Sequence, residues 1–336
     1  MELGDRSKQV MVMMHGYGGS GIMFYKIMKP LAAHFHIFIV DIIGMGGSSR
    51  PAFTIKDSSE ADTYLIQWFE AWRVKMDLTG FVLAGHSFGG YVSGLYACKY
   101  HQHVKKLLML SPAGVTSYPE DYDYYAEIAD RIQKQKRKVP KRWQVRCLLG
   151  CVGKCWGCCS PFSIMRCCGK CCVDKLMKNY IKNRFSSVPP EEMADYKVYL
   201  HQTLLRPGST EHAIFVCFNH LMWAHHSLDK DDRLGGIPIP VSFYFGDRDW
   251  MWTEAGDLIV SKNPYKGTHS HVFVIENSDH HLYFDNPVQF AEKIIKDLSN
   301  LDELYPIQNG DNLQKVDVSL SQLQLKNKQI QEEPIL

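Results

Sequence analysis

Residues 85–90 read Gly-His-Ser-Phe-Gly-Gly and follow the apolar run Phe81-Val82-Leu83-Ala84. A short apolar run ended by small residues reads as a buried strand, and residues 91–100 continue with small, aromatic and polar side chains at roughly helical spacing. A strand-to-helix turn this tight forces its central residue into strained dihedrals, and Gly85 and Gly89 supply the room that larger side chains would take. The turn exposes the Ser87 hydroxyl above the sheet and presents the Phe88 amide at a helix N-terminus, facing an incoming oxyanion. The pattern is G-x-S-x-G, a nucleophile elbow. Five residues alone also fit an ordinary Gly/Ser turn, so the reading needs partners.

A serine hydroxyl is a weak nucleophile without a general base, an acid that orients the base, and oxyanion donors. Upstream, the strand-like residues 10–14 end in His15-Gly16-Tyr17-Gly18-Gly19, a glycine-rich turn that makes the Tyr17 amide the second oxyanion donor. Downstream, residues 239–245 form a strand candidate followed by Gly246-Asp247-Arg248-Asp249. Residues 271–276 form another, closed by Asn277-Ser278-Asp279-His280-His281. A lone His or Asp in a loop is usually solvated surface. The chain order Ser, Asp, His, each just past a strand, is instead that of an α/β hydrolase.

Two choices remain inside that order. Of Asp247 and Asp249, the third residue after the glycine reaches toward the C-terminal edge of the sheet, which favours Asp249 as the acid. Of His280 and His281, the first is taken as the base, with Asp285 expected to cap a helix over residues 287–298 and fix the loop. His281 then lines the pocket together with His15, Gly16 and His86.

The pieces HGYGGSG (15–21), VDIIGMGGSSRP (40–51), WFEAWR (68–73), GHSFGG (85–90) and HHLYFD (280–285) resemble the abhydrolase-domain four/five branch of the α/β hydrolases. The resemblance covers residues 10–116 and 237–298 and is weak or absent between them. That branch holds lysophospholipid and N-acyl-phosphatidylethanolamine lipases and regulators of lipid-droplet lipolysis. It implies Ser87 as nucleophile, Asp249 as acid, His280 as base, and Tyr17 and Phe88 as oxyanion-hole amides. The lipolysis co-activators of the branch look to have lost the nucleophile, which this chain keeps. The family's H-x-x-x-x-D pair, here His280 and Asp285, has been taken as an acyltransferase signature. A triad histidine followed by a helix-capping aspartate gives the same spacing, so the pair does not separate hydrolysis from acyl transfer.

At 336 residues, 45% of them hydrophobic, the chain suits one α/β domain with an inserted cap. Strands are expected at 10–14, 35–42, 81–84, 106–110, 239–245 and 271–275, with helices near 24–33, 62–76, 89–100 and 254–261. That alternation predicts a mostly parallel sheet with helices on both faces. The segments are 1–116 and 236–300 for the hydrolase core, 117–235 for the cap, and 301–336 for a polar mobile tail. The two antiparallel strands that open most such sheets are expected to be missing. The strand near residues 36–43 then forms an open edge, unless the chain continues upstream or another segment covers it. No run of 18 uncharged apolar residues predicts a membrane-spanning helix, and the charged N-terminus is unlike a secretory signal, so a cytoplasmic, peripheral protein is expected.

The cap is unusual. Nine of the eleven cysteines lie between Cys147 and Cys172, and residues 131–173 hold eleven Lys/Arg and no Asp or Glu, on a chain of net charge +2. Cys155, Cys158, Cys168 and Cys171 have the paired spacing of a four-thiolate zinc site, but five surplus cysteines fit that poorly. Basic residues interleaved with Trp143, Leu148, Trp156 and Phe162 instead predict contact with an anionic membrane or lipid-droplet surface, with acylation of some cysteines. No nucleic-acid partner, metal or organic cofactor is expected. The chemistry predicted is cleavage of (lyso)phospholipid acyl esters through an acyl-serine intermediate. Transfer to lysophosphatidic acid and a non-catalytic lipolysis regulator are the rivals.

Overall fold

A computed structural model describes residues 1–119, 121–126, 129, 133, 139–157, 160–163, 166–167 and 189–301. Within them, seven strands form one sheet: β1 (Glu2–Leu3), β2 (Val10–Met14), β3 (His36–Val40), β4 (Phe81–His86), β5 (Val104–Leu110), β6 (Val241–Gly246) and β7 (Val272–Ile275). Their order across the sheet is β1-β3-β2-β4-β5-β6-β7, and every pairing but the first is parallel. The helices between them are α1 (Tyr25–Ala32), α2 (Ser58–Lys75), α3 (Phe88–Tyr100), α4 (Arg142–Cys155), α5 (Pro190–Leu204), α6 (Ala213–Cys217), α7 (Glu254–Lys262), α8 (Leu282–Asp285) and α9 (Pro287–Leu298).

Every residue of β3, β4 and β6 is buried. A strand buried at consecutive positions must be covered on both faces, which explains why these segments read as unbroken apolar runs. The expected open edge at β3 is occupied: β1 pairs with it antiparallel, placing Glu2 opposite Phe38 and Leu3 opposite Ile37. Two residues suffice to take up the edge groups, and too few residues carry the pairing for a period-two signal to be visible.

The branch motifs have structural work here. In α2, Glu70 accepts from Arg73 and from the Tyr96 hydroxyl of α3, Arg73 donates to the Leu78 carbonyl, and Trp72 stacks on Phe69 with ring centroids 5.4 Å apart. In the loop after β3, Asp41 accepts from the Gly21 amide at 2.6 Å and the Gly47 amide at 2.7 Å. Arg50 then reaches the carbonyls of Gly44, Gly46 and Thr203. These contacts tie the glycine-rich turn after β2 to the loop after β3, and that loop to α5. At the far side, the fully buried Lys106 of β5 pairs with Asp297 of α9 at 2.8 Å, and the Tyr244 hydroxyl donates to the same carboxylate.

Candidate active site

The chain between β4 and α3 turns at Ser87, whose φ of 53° and ψ of −118° lie in a strained region for a residue with a Cβ. Three backbone bonds hold it there. Its amide donates to Leu110 O at 3.0 Å, and its carbonyl accepts from Tyr91 N at 3.1 Å and Ala113 N at 3.0 Å. A Cβ at Gly85 would collide with the Gly89 carbonyl, and one at Gly89 with the His15 carbonyl. Both glycines are therefore required by close backbone approach. Of residues 81–90, Ser87 alone is not fully buried.

His280 and Asp249 meet at the same end of the sheet, in the loops after β7 and β6. His280 Nδ1 lies 3.4 Å from Asp249 Oδ1 and 2.6 Å from Ser111 Oγ, and the same Ser111 hydroxyl donates to Asp249 Oδ2. Burial alone pushes the Asp249 carboxyl up, but hydrogen bonds from His280, Ser111 and the Met251 amide outweigh it and hold the group below the ordinary carboxylate range. Asp249 is thus ionised at neutral pH. The Trp250 ring packs 5.1 Å from that of His280. Among the described residues no hydrogen bond joins Ser87 Oγ to the imidazole. Nucleophile–base contacts in empty sites are often long and tighten when substrate binds.

The two candidate oxyanion amides differ in how they are positioned. Phe88 opens α3, so its N–H is one of the four that a helix leaves without an internal acceptor. Tyr17 is set by a buried histidine. The Ile42 amide donates to His15 Nε2 at 3.0 Å, so the neutral ring carries its proton on Nδ1 and donates to Gly16 O at 2.8 Å. Burial lowers the His15 pKa, which keeps that ring neutral. The Gly19 amide also donates to Gly16 O, at 3.0 Å. In a trans peptide the carbonyl and the N–H point in opposite directions, so fixing Gly16 C=O directs the Tyr17 N–H the other way. Gly16 itself packs so tightly against Ser87 that a Cβ there would lie 3.0 Å from the serine Cβ. The Tyr17 ring stacks on Phe162, with centroids 5.3 Å apart.

Three histidines expected to line the pocket are placed elsewhere. His15 and His86 are at most 1% exposed and His281 is 6% exposed, each engaged with the protein itself. His86 Nε2 donates to the His280 carbonyl at 2.9 Å, and burial together with the neighbouring His280 pushes its pKa down to about 3. Its Nδ1 therefore accepts from Tyr283 Oη, which in turn lies 2.9 Å from His281 Nδ1. These rings pack behind His280. The described cleft opens instead between the segment after β5, the loop around Trp223 and the loop after β6. Tyr122, Trp223, Trp250, Trp252, Met222 and Met251 contribute to its walls, and among the described residues no charged side chain lines it.

Asp247 accepts from the amides of Asn277 and Ser278, so it holds the histidine loop rather than the imidazole. Asp285 accepts from the Asp279 amide, while Asn286 Oδ1 accepts from the Gln289 amide in the first turn of α9. The helix cap is Asn286, which corrects the expectation of Asp285. No group of three metal-binding side chains occurs among the described residues. Of the alternative zinc ligands, Cys158, Cys168 and Cys171 and the side chain of Cys155 lie outside them, as do residues 302–336 of the expected tail.

A serine at the turn after β4, an aspartate after β6 and a histidine after β7 on a mostly parallel sheet are arranged as in the α/β-hydrolase fold. The family model described as alpha/beta hydrolase fold matches residues 9–145. Over those residues the chain is similar to the alpha/beta hydrolase family, and the relatives it resembles carry lipase and acyltransferase names. It is 28% identical to a probable 1-acylglycerol-3-phosphate O-acyltransferase of Oryza sativa subsp. japonica, over 86% of this chain and 67% of the rice protein. It is 24% identical to a (lyso)-N-acylphosphatidylethanolamine lipase of Mus musculus, over 88% of this chain and 80% of the mouse protein. The chain spans 65% of the length of an Arabidopsis thaliana 1-acylglycerol-3-phosphate O-acyltransferase. In fold it is similar to a membrane phospholipase A, with a TM-score of 0.60 and 19% identity over 89% of this chain and 81% of the other.

Proposed function

We propose that the chain is a serine hydrolase that cleaves acyl esters of (lyso)phospholipids or related lipids through an acyl-Ser87 intermediate. The observation that carries this reading is the strained Ser87 elbow beside the hydrogen-bonded His280 and Asp249. His280 Nε2 removes the Ser87 proton as Oγ attacks the ester carbonyl, and the Tyr17 and Phe88 amides take the developing oxyanion. The imidazolium then protonates the departing alcohol. Water, activated by the same base, releases the fatty acid. The neutral aromatic and methionine walls of the cleft beside Trp250 suit an acyl chain better than a charged head group.

The names of the relatives favour a second outcome from the same intermediate, attack by the hydroxyl of a lysophosphatidic acid instead of water. Lipid profiling after incubation with mixed phospholipid and lysophospholipid vesicles separates the two. Hydrolysis yields free fatty acid and a deacylated lipid, whereas transfer yields a new diacyl product. Neither product, from protein with its fold intact, would contradict an enzymatic role.

The cap region, taken as 117–235, is proposed to carry membrane attachment. No described helix is long and apolar enough to cross a membrane. Helix α4 nevertheless leaves Trp143 and Leu148 more than 60% exposed, with Cys147 and Cys151 exposed one turn apart and Lys141, Arg142 and Arg146 beside them. Trp143, Cys147 and Cys151 are spaced by four residues and so share one side of the helix. That stripe suits burial in a head-group layer. Each basic residue near an anionic surface contributes about 1 kcal/mol. Replacing Lys141, Arg142 and Arg146 by Gln should weaken binding to anionic vesicles roughly ten- to a hundredfold at low salt. Turnover of a dispersed short-chain ester should survive. Vesicle flotation checks this, and parental binding by the triple variant would remove the attachment role from α4.

A further inference from the structure

Ser111 follows β5, the strand between the one that leads to Ser87 and the one that leads to Asp249. Its side chain is fully buried, and its φ of 45° is rare for a residue with a Cβ. Two backbone bonds hold its surroundings: its own amide donates to Tyr244 O at 2.7 Å, and the preceding Leu110 carbonyl accepts from the Ser87 amide. The hydroxyl sits between acid and base. It contacts His280 Nδ1 at 2.6 Å and Asp249 Oδ2, while the direct Asp249–His280 contact is 3.4 Å.

Proton counting fixes the direction of these bonds. An ionised carboxylate only accepts, so the single Ser111 proton is committed to Asp249. Toward Nδ1 the oxygen must then accept, which requires the proton on Nδ1 and leaves the Nε2 lone pair free as the base. The opposite arrangement, Ser111 donating to the histidine, would set two lone-pair-bearing oxygens against each other at the carboxylate. The bonds from His280, Ser111 and the Met251 amide hold the Asp249 carboxyl below its ordinary range, which disfavours the protonated acid that would relieve this.

We infer that Ser111 is a positioning residue of the active site, its hydroxyl bridging Asp249 to His280 so that the acid sets the imidazole tautomer largely through it. The bridge rests on the catalytic reading of Ser87, His280 and Asp249 and adds a fourth member to it. No proton moves onto Asp249. The hydrogen bond chain Nδ1–H to Ser111 Oγ–H to Asp249 strengthens as the imidazolium forms.

Ser111→Gly is the informative variant, because glycine removes the hydroxyl and also relaxes the positive φ. With a soluble ester, its kcat should fall roughly ten- to a hundredfold with KM little changed. Its thermal midpoint should equal or exceed that of the parent, which a merely structural role would not give. Ser111→Ala should lose a similar amount of turnover. A Ser111→Gly protein with parental kcat overturns the bridge, provided Ser87→Ala is dead in the same assay. If Ser87→Ala is active, it is the catalytic reading itself that fails. Should both Ser111 variants fail to fold, kcat of the unaltered protein in H2O–D2O mixtures decides. A bowed dependence on deuterium fraction supports coupled hydrogen bonds through the bridge, and a straight line overturns it.

Discussion

Ser87→Ala and His280→Ala each lose about four to six orders of magnitude in ester turnover while the fold is retained, because nucleophile and base act as a unit. His281→Ala should keep a substantial part. The two histidines are neighbours, but their surroundings separate them. His280 Nδ1 faces Ser111 and Asp249, whereas His281 Nδ1 faces Tyr283 and supports His86. Initial rates with a soluble ester, with circular dichroism to check the fold, decide the matter. An inactive His281→Ala beside an active His280→Ala would reverse the assignment.

The second large effect belongs to Asp249, the proposed acid. Asp249→Asn should keep the fold and lose on the order of 10⁴ in turnover, since an amide no longer enforces the imidazole tautomer. Here the amide would also disturb the bond that Ser111 donates to Oδ2. Asp247→Asn should act mainly on stability. Its two carboxylate oxygens receive the Asn277 and Ser278 amides, and one of those acceptors becomes an NH2 group. Thermal midpoints and rates measured on both variants separate the roles. A larger loss of rate in Asp247→Asn would move the acid there.

The parallel core strands were legible because they are buried on both faces and so appear as short apolar runs bounded by glycine, histidine or aspartate. The Ser87 elbow was legible for a steric reason. Gly85 and Gly89 stand where backbone passes too close for any side chain, so the elbow leaves a local signature. Its partners followed from chain order. Strand β1 was not legible, since two residues have no periodicity. The cap of α9 went to Asn286 because α8 occupies Leu282–Asp285 and turns Asp285 back onto the histidine loop.

Side-chain roles that depend on long-range placement were the least readable. Ser111 reads as part of an ordinary Ser-Pro-Ala-Gly turn, and only the adjacency of β5 to β6 brings it to Asp249 and His280. The histidines at positions 15, 86 and 281 look like pocket residues by proximity in sequence to the loops. Their burial turns them into props for Gly16, for the His280 carbonyl and for Tyr283. The aromatic cleft draws Tyr122, Trp223 and Trp252 from three separate loops, so no local pattern announces it.

The central claim is that Ser87 becomes acylated, and mass mapping of the protein quenched in acid during turnover of a lysophospholipid tests it most directly. A fatty-acyl mass increment is expected on the peptide containing Ser87, absent from Ser87→Ala and persistent in His280→Ala only at trace level. An acyl group found on another residue, or full turnover with no acyl adduct on Ser87 under conditions that trap it, would rule out Ser87 as the nucleophile.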